Sequence, residues 1–242
     1  MKQILCMKWG TLYGPEYVNT LYSMVRRNIT APFRFYCLTD DPKGIHEEVL
    51  CRPCPTVPIA DWRANTGWRK LAVWASELFD IQGDVLFLDL DVVIVSNIDD
   101  LFTFGSDFCV MRNWTQPRER IGNTSVFRFT VGKHPYILQK LIDDPASVLD
   151  HHRNEQIYIS ETISAMTFFP DDWCRLFKVH CLPHPLLRWF KEPSLPSGTK
   201  IVAFPGDPNP PDAAAGRWPV RKWYKRIYKH IRPTTWVQQH WR

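Results

Sequence analysis

The sequence lacks an apolar run long enough to cross a membrane. The longest, residues 85–95, is interrupted by Asp89 and Asp91 and is far short of the roughly 18–20 residues a spanning helix needs. The N-terminus has one early lysine, Lys2, but its apolar stretch is too brief for a secretory signal, so the expectation is a domain that begins at once with a strand. There is no disulfide pattern: the seven cysteines are odd in number and irregularly spaced. Cys51-Arg52-Pro53-Cys54 is a lone CxxC without the second pair a zinc site would want. The expectation is free thiols in a reducing compartment, hence the cytoplasm. There is no internal repeat and no recognised nucleic-acid-binding motif. Residues 217–242 contain no acidic residue.

The composition is that of a folded protein, with 45% hydrophobic and 23% charged residues in a chain of 242. Aromatics are plentiful at 14%, including 11 Trp, which fits either an aromatic core or a surface for carbohydrate or a membrane interface. The net charge of +5 is uneven: residues 217–242 hold eight basic residues, leaving residues 1–216 at −3 (five minus eight). Such a tail suggests an electrostatic partner. The expected division is a catalytic domain over 1–216 and a basic aromatic tail over 217–242.

Hydrophobic periodicity predicts strands over 2–8, 33–38, 85–88, 92–95, 107–112, 124–130 and 200–204. It predicts helices over 16–27, 68–79, 136–149 and 155–166, with 51–66 read as loop. The opening strand, helix and strand imply an α/β fold with a mostly parallel, Rossmann-like sheet. Residues 207–216 are rich in Pro and Ala and read as a linker. Pro219 and Pro233 bracket a predicted helix over 220–231, with Val220, Trp223, Tyr224, Ile227 and Ile231 on one stripe.

The chemistry centres on Asp89 and Asp91, at the end of a buried strand, where open α/β sheets bind ligands. Residues i and i+2 of a strand point the same way. Two carboxylates aimed at one spot repel unless a cation joins them. Hard oxygen ligands suit Mg²⁺ or Mn²⁺, which would also neutralise a diphosphate. A bare DxD also occurs as a mere strand-end pair.

The surrounding residues supply a resemblance. Lys70-Leu71, Trp74 and the run Val85-Leu86-Phe87-Leu88-Asp89-Leu90-Asp91, continuing through Ser96-Asn97-Ile98-Asp99-Asp100-Leu101-Phe102, resemble the metal-binding segment of glycogenin and the family-8 glycosyltransferases. Gly122-Asn123-Thr124-Ser125-Val126 is similar to that family's FNSGV stretch, and Glu155-Gln156 to its Asp-Gln pair. Ile201-Val202-Ala203-Phe204-Pro205-Gly206, with Pro210, resembles its closing HF-x-G-x-x-KP segment. The resemblance implies a GT-A fold and a nucleoside-diphosphate sugar donor, commonly UDP-linked. It implies that Asp89 and Asp91 hold the metal and that Lys70 reaches the phosphates or donor sugar. Asn123 would contact the transferred sugar, and Glu155 and Gln156 would lie beside the anomeric carbon. Lys8, Trp9 and Tyr13 would hold the nucleotide base. The acceptor would be a glycan or a lipid-linked sugar. Separately, the basic and aromatic residues of 217–242 suggest a tail that docks on an anionic membrane at its inner, cytoplasmic face.

Two positions depart from the pattern. The family's late metal-binding histidine falls at Ala203 and its phosphate-binding lysine at Asn209; Asp207 could substitute as an oxygen ligand. Three rival expectations follow, one of them nucleic-acid binding by the basic tail, which no recognised nucleic-acid fold supports. A haloacid-dehalogenase-type phosphatase shares the strand ending in DxD, although it needs a flap and helix after the second aspartate. A degenerate transferase would have lost activity along with the histidine and lysine.

Overall fold

Residues 2–8 are apolar with polar ends and form strand β1 (Lys2–Lys8); the helical period that follows forms α1 (Pro15–Arg27). The structure is a computed structural model that describes residues 1–60, 63, 66–220 and 222–242. Strands β2 (Phe33–Thr39) and β3 (Leu50–Pro53) come next, then β4 (Asp84–Leu88), β5 (Val92–Ile94), β6 (Cys109–Arg112) and β7 (Gly122–Thr130). Helices α2 (Tyr136–Asp143), α3 (Pro145–His151) and α4 (Glu155–Thr162) follow. Strands β8 (Thr167–Phe168), β9 (Cys174–Leu176) and β10 (Ile201–Ala203) and helices α5 (Pro210–Ala214) and α6 (Thr235–His240) complete the chain.

The chain divides into two units. The first comprises Met1–Asn19, Ala31–Leu90 and Asp100–Phe169. It holds a seven-stranded sheet in the order β3-β2-β1-β4-β7-β6-β8. Every neighbouring pair is parallel except those of β7, which runs antiparallel to both β4 and β6. The mostly parallel α/β expectation therefore holds. Val85, Leu86, Phe87 and Leu88 of β4 are fully buried, as expected of a strand covered on both faces. Trp74 packs against Phe108, Phe127 and Phe129 with ring centroids 5.2–5.8 Å apart, so part of the aromatic surplus is core.

The second unit comprises Thr20–Thr30, Asp91–Asp99 and Pro170–Arg242, around a sheet in the order β5-β10-β9. Phe177 stacks on Phe204 at 4.4 Å, and Trp236 of α6 packs against both rings. Thr235 donates to Glu192, and the Trp236 indole donates to the Pro193 carbonyl at 3.1 Å. These contacts seat the C-terminal residues in this unit.

Several elements differ from their expected form. Where a helix is expected over 68–79, Gly67–Trp74 form a 3-10 helix that ends at Ala75. Both helix types repeat apolar residues at i+3, so the sequence stripe does not separate them. The helix expected over 136–149 divides at Pro145, which cannot continue it, and Asp144 caps α3 through Ser147 N. Strand β3 runs into the segment read as loop, over residues 51–53; residues 61, 62, 64 and 65 of that segment lie outside the described residues. The presumed linker 207–216 contains α5, with Pro210 and Ala213 buried. Its prolines start a helix, where a missing N–H costs nothing.

The tail also corrects its reading. Among the described residues no α-helix runs over 220–231; the chain forms a 3-10 turn, Trp223–Ile227, and then α6. Arg221 lies outside the described residues. Isolated helices this short are marginal in water, and here the buried anchors Ile231, Thr234, Trp236 and Val237 lie further along. All seven cysteines are free. Burial pushes the Cys54 thiol up to about 11 and raises Cys51 as well, so the CxxC pair is protonated near neutral pH.

Candidate active site

The parallel strands β1, β2 and β4 end at one edge of the first unit's sheet. Because β7 is antiparallel to β4, its N-terminus lies at that same edge. The register pairs Leu88 with Val126, and Asp89 N donates to the Ser125 carbonyl at 2.9 Å just beyond it. This topology brings Asn123, Thr124 and Ser125 beside Asp89, although 34 residues separate Asp89 from Asn123 in the chain.

Lys70 reaches this point from the 3-10 helix. Its Nζ lies 2.7 Å from both carboxylate oxygens of Asp89 and donates to the Thr124 carbonyl at 3.3 Å. It is only 6% exposed and also lies 5.7 Å from the centroid of the Phe87 ring. Thr124 Oγ1 in turn donates to Glu155 Oε1 at 3.1 Å, and Glu155 is buried. A polar relay thus runs from Asp89 through Lys70 and Thr124 to Glu155.

Helix α4 carries Glu155 in its first turn, where a carboxylate suits the helix dipole. Asn154 caps the helix through Ile157 N at 3.0 Å, and Ser160 accepts from Gly122 N at 2.9 Å, which ties α4 to β7. Gly67 makes the close approach possible: a Cβ there would lie 2.4 Å from Glu155 Oε1. Gly67→Ala should therefore displace Glu155 and cost about 1–2 kcal/mol, the scale of overpacking. Chemical denaturation checks this; an unchanged midpoint would mean that Glu155 is not fixed against Gly67.

The other expected residues divide. Asn123 is buried, and its Oδ1 accepts from Ser125 N at 2.9 Å, so it sits within the cluster. Gln156 accepts a long 3.5 Å bond from Asn113. Lys8 is buried and donates to the Asp41 carbonyl at 3.4 Å. Trp9 packs on the core, and Tyr13 rests on Tyr17 with centroids 4.6 Å apart. Asp91 belongs to the second unit; it is 8% exposed, and its carbonyl accepts from Phe204 N at 3.0 Å.

Residues not singled out from the sequence also stand here. Asp40 accepts from Gly10 N at 2.9 Å and lies 3.9 Å from the Arg69 guanidinium, linking the loops after β1 and β2 to the 3-10 helix. Asp40 and Asp41 directly follow a buried strand, the same signal that pointed to Asp89, and could have been found by it.

No protein-family profile and no curated protein sequence matches the chain. Solved structures do. Two structures of LgtC superpose with TM-scores of 0.60 and 0.59 at 13% identity, over 86% of this chain and 89% and 88% of theirs. One is of an active-site mutant; the other is of the galactosyltransferase with donor and acceptor sugar analogues. The glycosyltransferase GlyE of Streptococcus pneumoniae TIGR4 superposes with a TM-score of 0.61 at 13% identity, over 99% of this chain but 63% of GlyE. The fold is GT-A. In this GT-A fold the Asp89 relay lies at the carboxyl edge of the sheet, where open α/β sheets hold their ligands. The phosphatase pattern is not followed, since Asp91 leads straight into strand β5 instead of a flap and helix.

Among the described residues no group of three or more His, Cys, Asp or Glu side chains could hold a metal. Mg²⁺, however, is commonly bound by one or two carboxylates, with waters and substrate phosphates completing the shell. Asp89 and Asp91, two positions apart in the chain, would supply the carboxylates of that mode.

Proposed function

We propose that the chain is a glycosyltransferase that moves a sugar from a nucleoside-diphosphate sugar, UDP-linked, to a glycan or lipid-linked acceptor. The observation that supports it is the relay Asp89–Lys70–Thr124–Glu155 at the carboxyl edge of a GT-A sheet. Asp89 and Asp91 would hold Mg²⁺ or Mn²⁺, which when bound supplies positive charge for the departing diphosphate. Lys70 fixes the orientation of Asp89 and presents an ammonium for the donor. Asn123 positions the transferred sugar. Glu155 and Gln156 face the anomeric carbon, where a carboxylate and an amide oxygen oppose the positive charge that develops on the sugar. Lys8, Trp9 and Tyr13 receive the base. Calorimetric titration with UDP tests the reading. Binding should need Mn²⁺ or Mg²⁺ and weaken in Asp91→Asn; absence of binding to UDP, GDP and ADP with either ion would overturn it.

The acceptor side of the proposal is a cytoplasmic enzyme docked on an anionic membrane. Among the described residues no helix is long and apolar enough to cross one. The second unit nevertheless presents Leu186, Phe190 and Trp223, each 76–78% exposed, with Trp189, Tyr224 and Tyr228 also exposed. Arg188 donates to the Tyr228 carbonyl at 2.9 Å, and Trp189 stacks on His230 at 3.9 Å, so the two segments form one surface. Arg188, Lys191, Lys222, Lys225 and Lys229 are interspersed with these aromatics. Aromatic rings favour the membrane interface, and each cation near an anionic surface contributes about 1 kcal/mol. Deleting 217–242 would remove the buried Trp236 and Val237, so point variants make the better test. Wild type should sediment with phosphatidylserine vesicles, less so in high salt. Trp189→Ser/Phe190→Ser/Trp223→Ser should lose roughly 100-fold or more in binding, since each buried aromatic is worth about 1 kcal/mol or more. Equal sedimentation of the variant and wild type would exclude this surface.

A further inference from the structure

Strand β6 runs antiparallel to β7 and therefore parallel to β4, so its end at Arg112 lies at the same edge of the first unit's sheet as Asp89. The loop that returns the chain to β7, residues 113–121, stands at that edge, with Asn113 N donating to the Ile121 carbonyl at 3.0 Å across its base. Its shape is fixed from within. Asn113 is buried, and its Oδ1 accepts from Thr115 N at 3.1 Å and from Thr115 Oγ1 at 2.7 Å. Gln116 N donates to the Asn113 carbonyl and Glu119 N to the Gln116 carbonyl, each at 3.1 Å. The Asn113 amide also makes the 3.5 Å contact with Gln156, so the base of the loop adjoins the first turn of α4.

The charge of this loop is one-sided. Residues 112–120 hold Arg112, Arg118 and Arg120 against Glu119, a net charge of +2. Glu119 accepts from the Gln116 amide at 3.2 Å. The Arg112 guanidinium lies 4.3 Å from the centroid of the Phe168 ring and 5.8 Å from that of Trp114. Arg120 donates to the Met166 carbonyl at 3.0 Å, two residues before Phe168. Two arginines are thus held against one short segment at β8, while Arg118 and Arg120 stay exposed. A guanidinium stacked on a ring keeps its N–H groups in its own plane, where they match a carboxylate or a phosphate. Cations gathered in one place repel, and an anion relieves them. The stretches that resemble the donor-binding family stop at Phe102 and resume at Gly122, so the loop lies outside them. Resting on the transferase reading, we propose that this loop receives the acceptor and that the acceptor is anionic, a glycan whose phosphate or carboxylate is bound by Arg112, Arg118 and Arg120 while its hydroxyl reaches the carbon faced by Gln156.

The test is transfer by the full chain, from whichever nucleotide sugar it turns over, to methyl glucoside, methyl glucoside 6-phosphate and methyl glucuronide. The two charged probes separate a phosphate from a carboxylate. Wild type should prefer at least one of them over the neutral probe by about 10-fold or more in kcat/KM, the scale of one charge-assisted bond, and salt should shrink the preference. Arg118→Gln/Arg120→Gln keeps a donor for the Met166 carbonyl and loses the charge, so it should erase most of the preference, through KM for the charged probe. Arg118→Lys/Arg120→Lys should keep part of it. A loop with only a structural role would move the kcat/KM of all three probes together. Far-UV circular dichroism is compared first; if the double variant does not fold, Arg118→Gln, at an exposed position, carries the comparison. Transfer to neither charged probe, transfer without preference for one, or a preference that the folded glutamine variant keeps, overturns the proposal while donor turnover leaves the transferase reading standing. If wild type turns over no nucleotide sugar, both fall.

Discussion

Asp91→Asn should lower sugar transfer by on the order of 10²–10³-fold, the several kcal/mol a metal contributes to stabilising a leaving anion. Asparagine keeps the shape of the side chain, and the bond from Phe204 N to the Asp91 carbonyl stays. Asp89→Asn should lose as much activity, and it takes the carboxylate away from Lys70, so its melting temperature should fall. Chelation of wild type should bring its rate down to the level of the variants. Full activity of both variants in metal-free buffer would remove the metal from the account.

Lys70→Ala is the second large effect, and it should appear in two measurements. The ammonium and its partner are 8% and 20% exposed as side chains, so water screens the pair little. Removing one member of a buried pair costs about 3–5 kcal/mol. The low end applies because Asp89 keeps some access to water, which gives a fall of roughly 6–12 °C for a chain of this size. Donor binding and transfer should weaken by roughly 10- to 100-fold as well. Lys70→Met separates packing from charge, since it keeps the stem against Phe87. A melting temperature and donor affinity both unchanged in Lys70→Ala would mean that the relay has no energetic weight.

The β1–α1–β2 start and the strand into Asp89 were legible because their signals are local: alternating or continuous apolar runs bounded by turns. The placing of Asn123 followed from motif order, and the antiparallel β7 accounts for it physically. What could not be read is made by contacts distant in sequence. Lys70 and Asp89 are 19 residues apart and Thr124 and Glu155 are 31 apart, and neither pair leaves a periodic trace. Gly67 reads as a chain breaker until Glu155 is seen where its Cβ would be. Composition misled at 207–216, where Pro210 and Ala213 are helical and buried instead of forming a linker. In the tail the basic aromatic pattern was real but its helix was not. Residues from Ile231 on are seated in the second unit, while Trp223 and Tyr224 stay exposed. The partner segment carrying Trp189 and Phe190 had no signal beyond its own aromatics.

The central claim is that this edge of the sheet cleaves an activated sugar with a divalent ion present. A panel of nucleotide sugars, incubated with the full chain with and without Mn²⁺ and assayed for released nucleoside diphosphate, tests it most directly. The expected result is slow hydrolysis of one or a few donors, dependent on Mn²⁺ and lost in Asp91→Asn. Release of diphosphate from no donor, or release that is indifferent to both the metal and the Asp91 substitution, would contradict it.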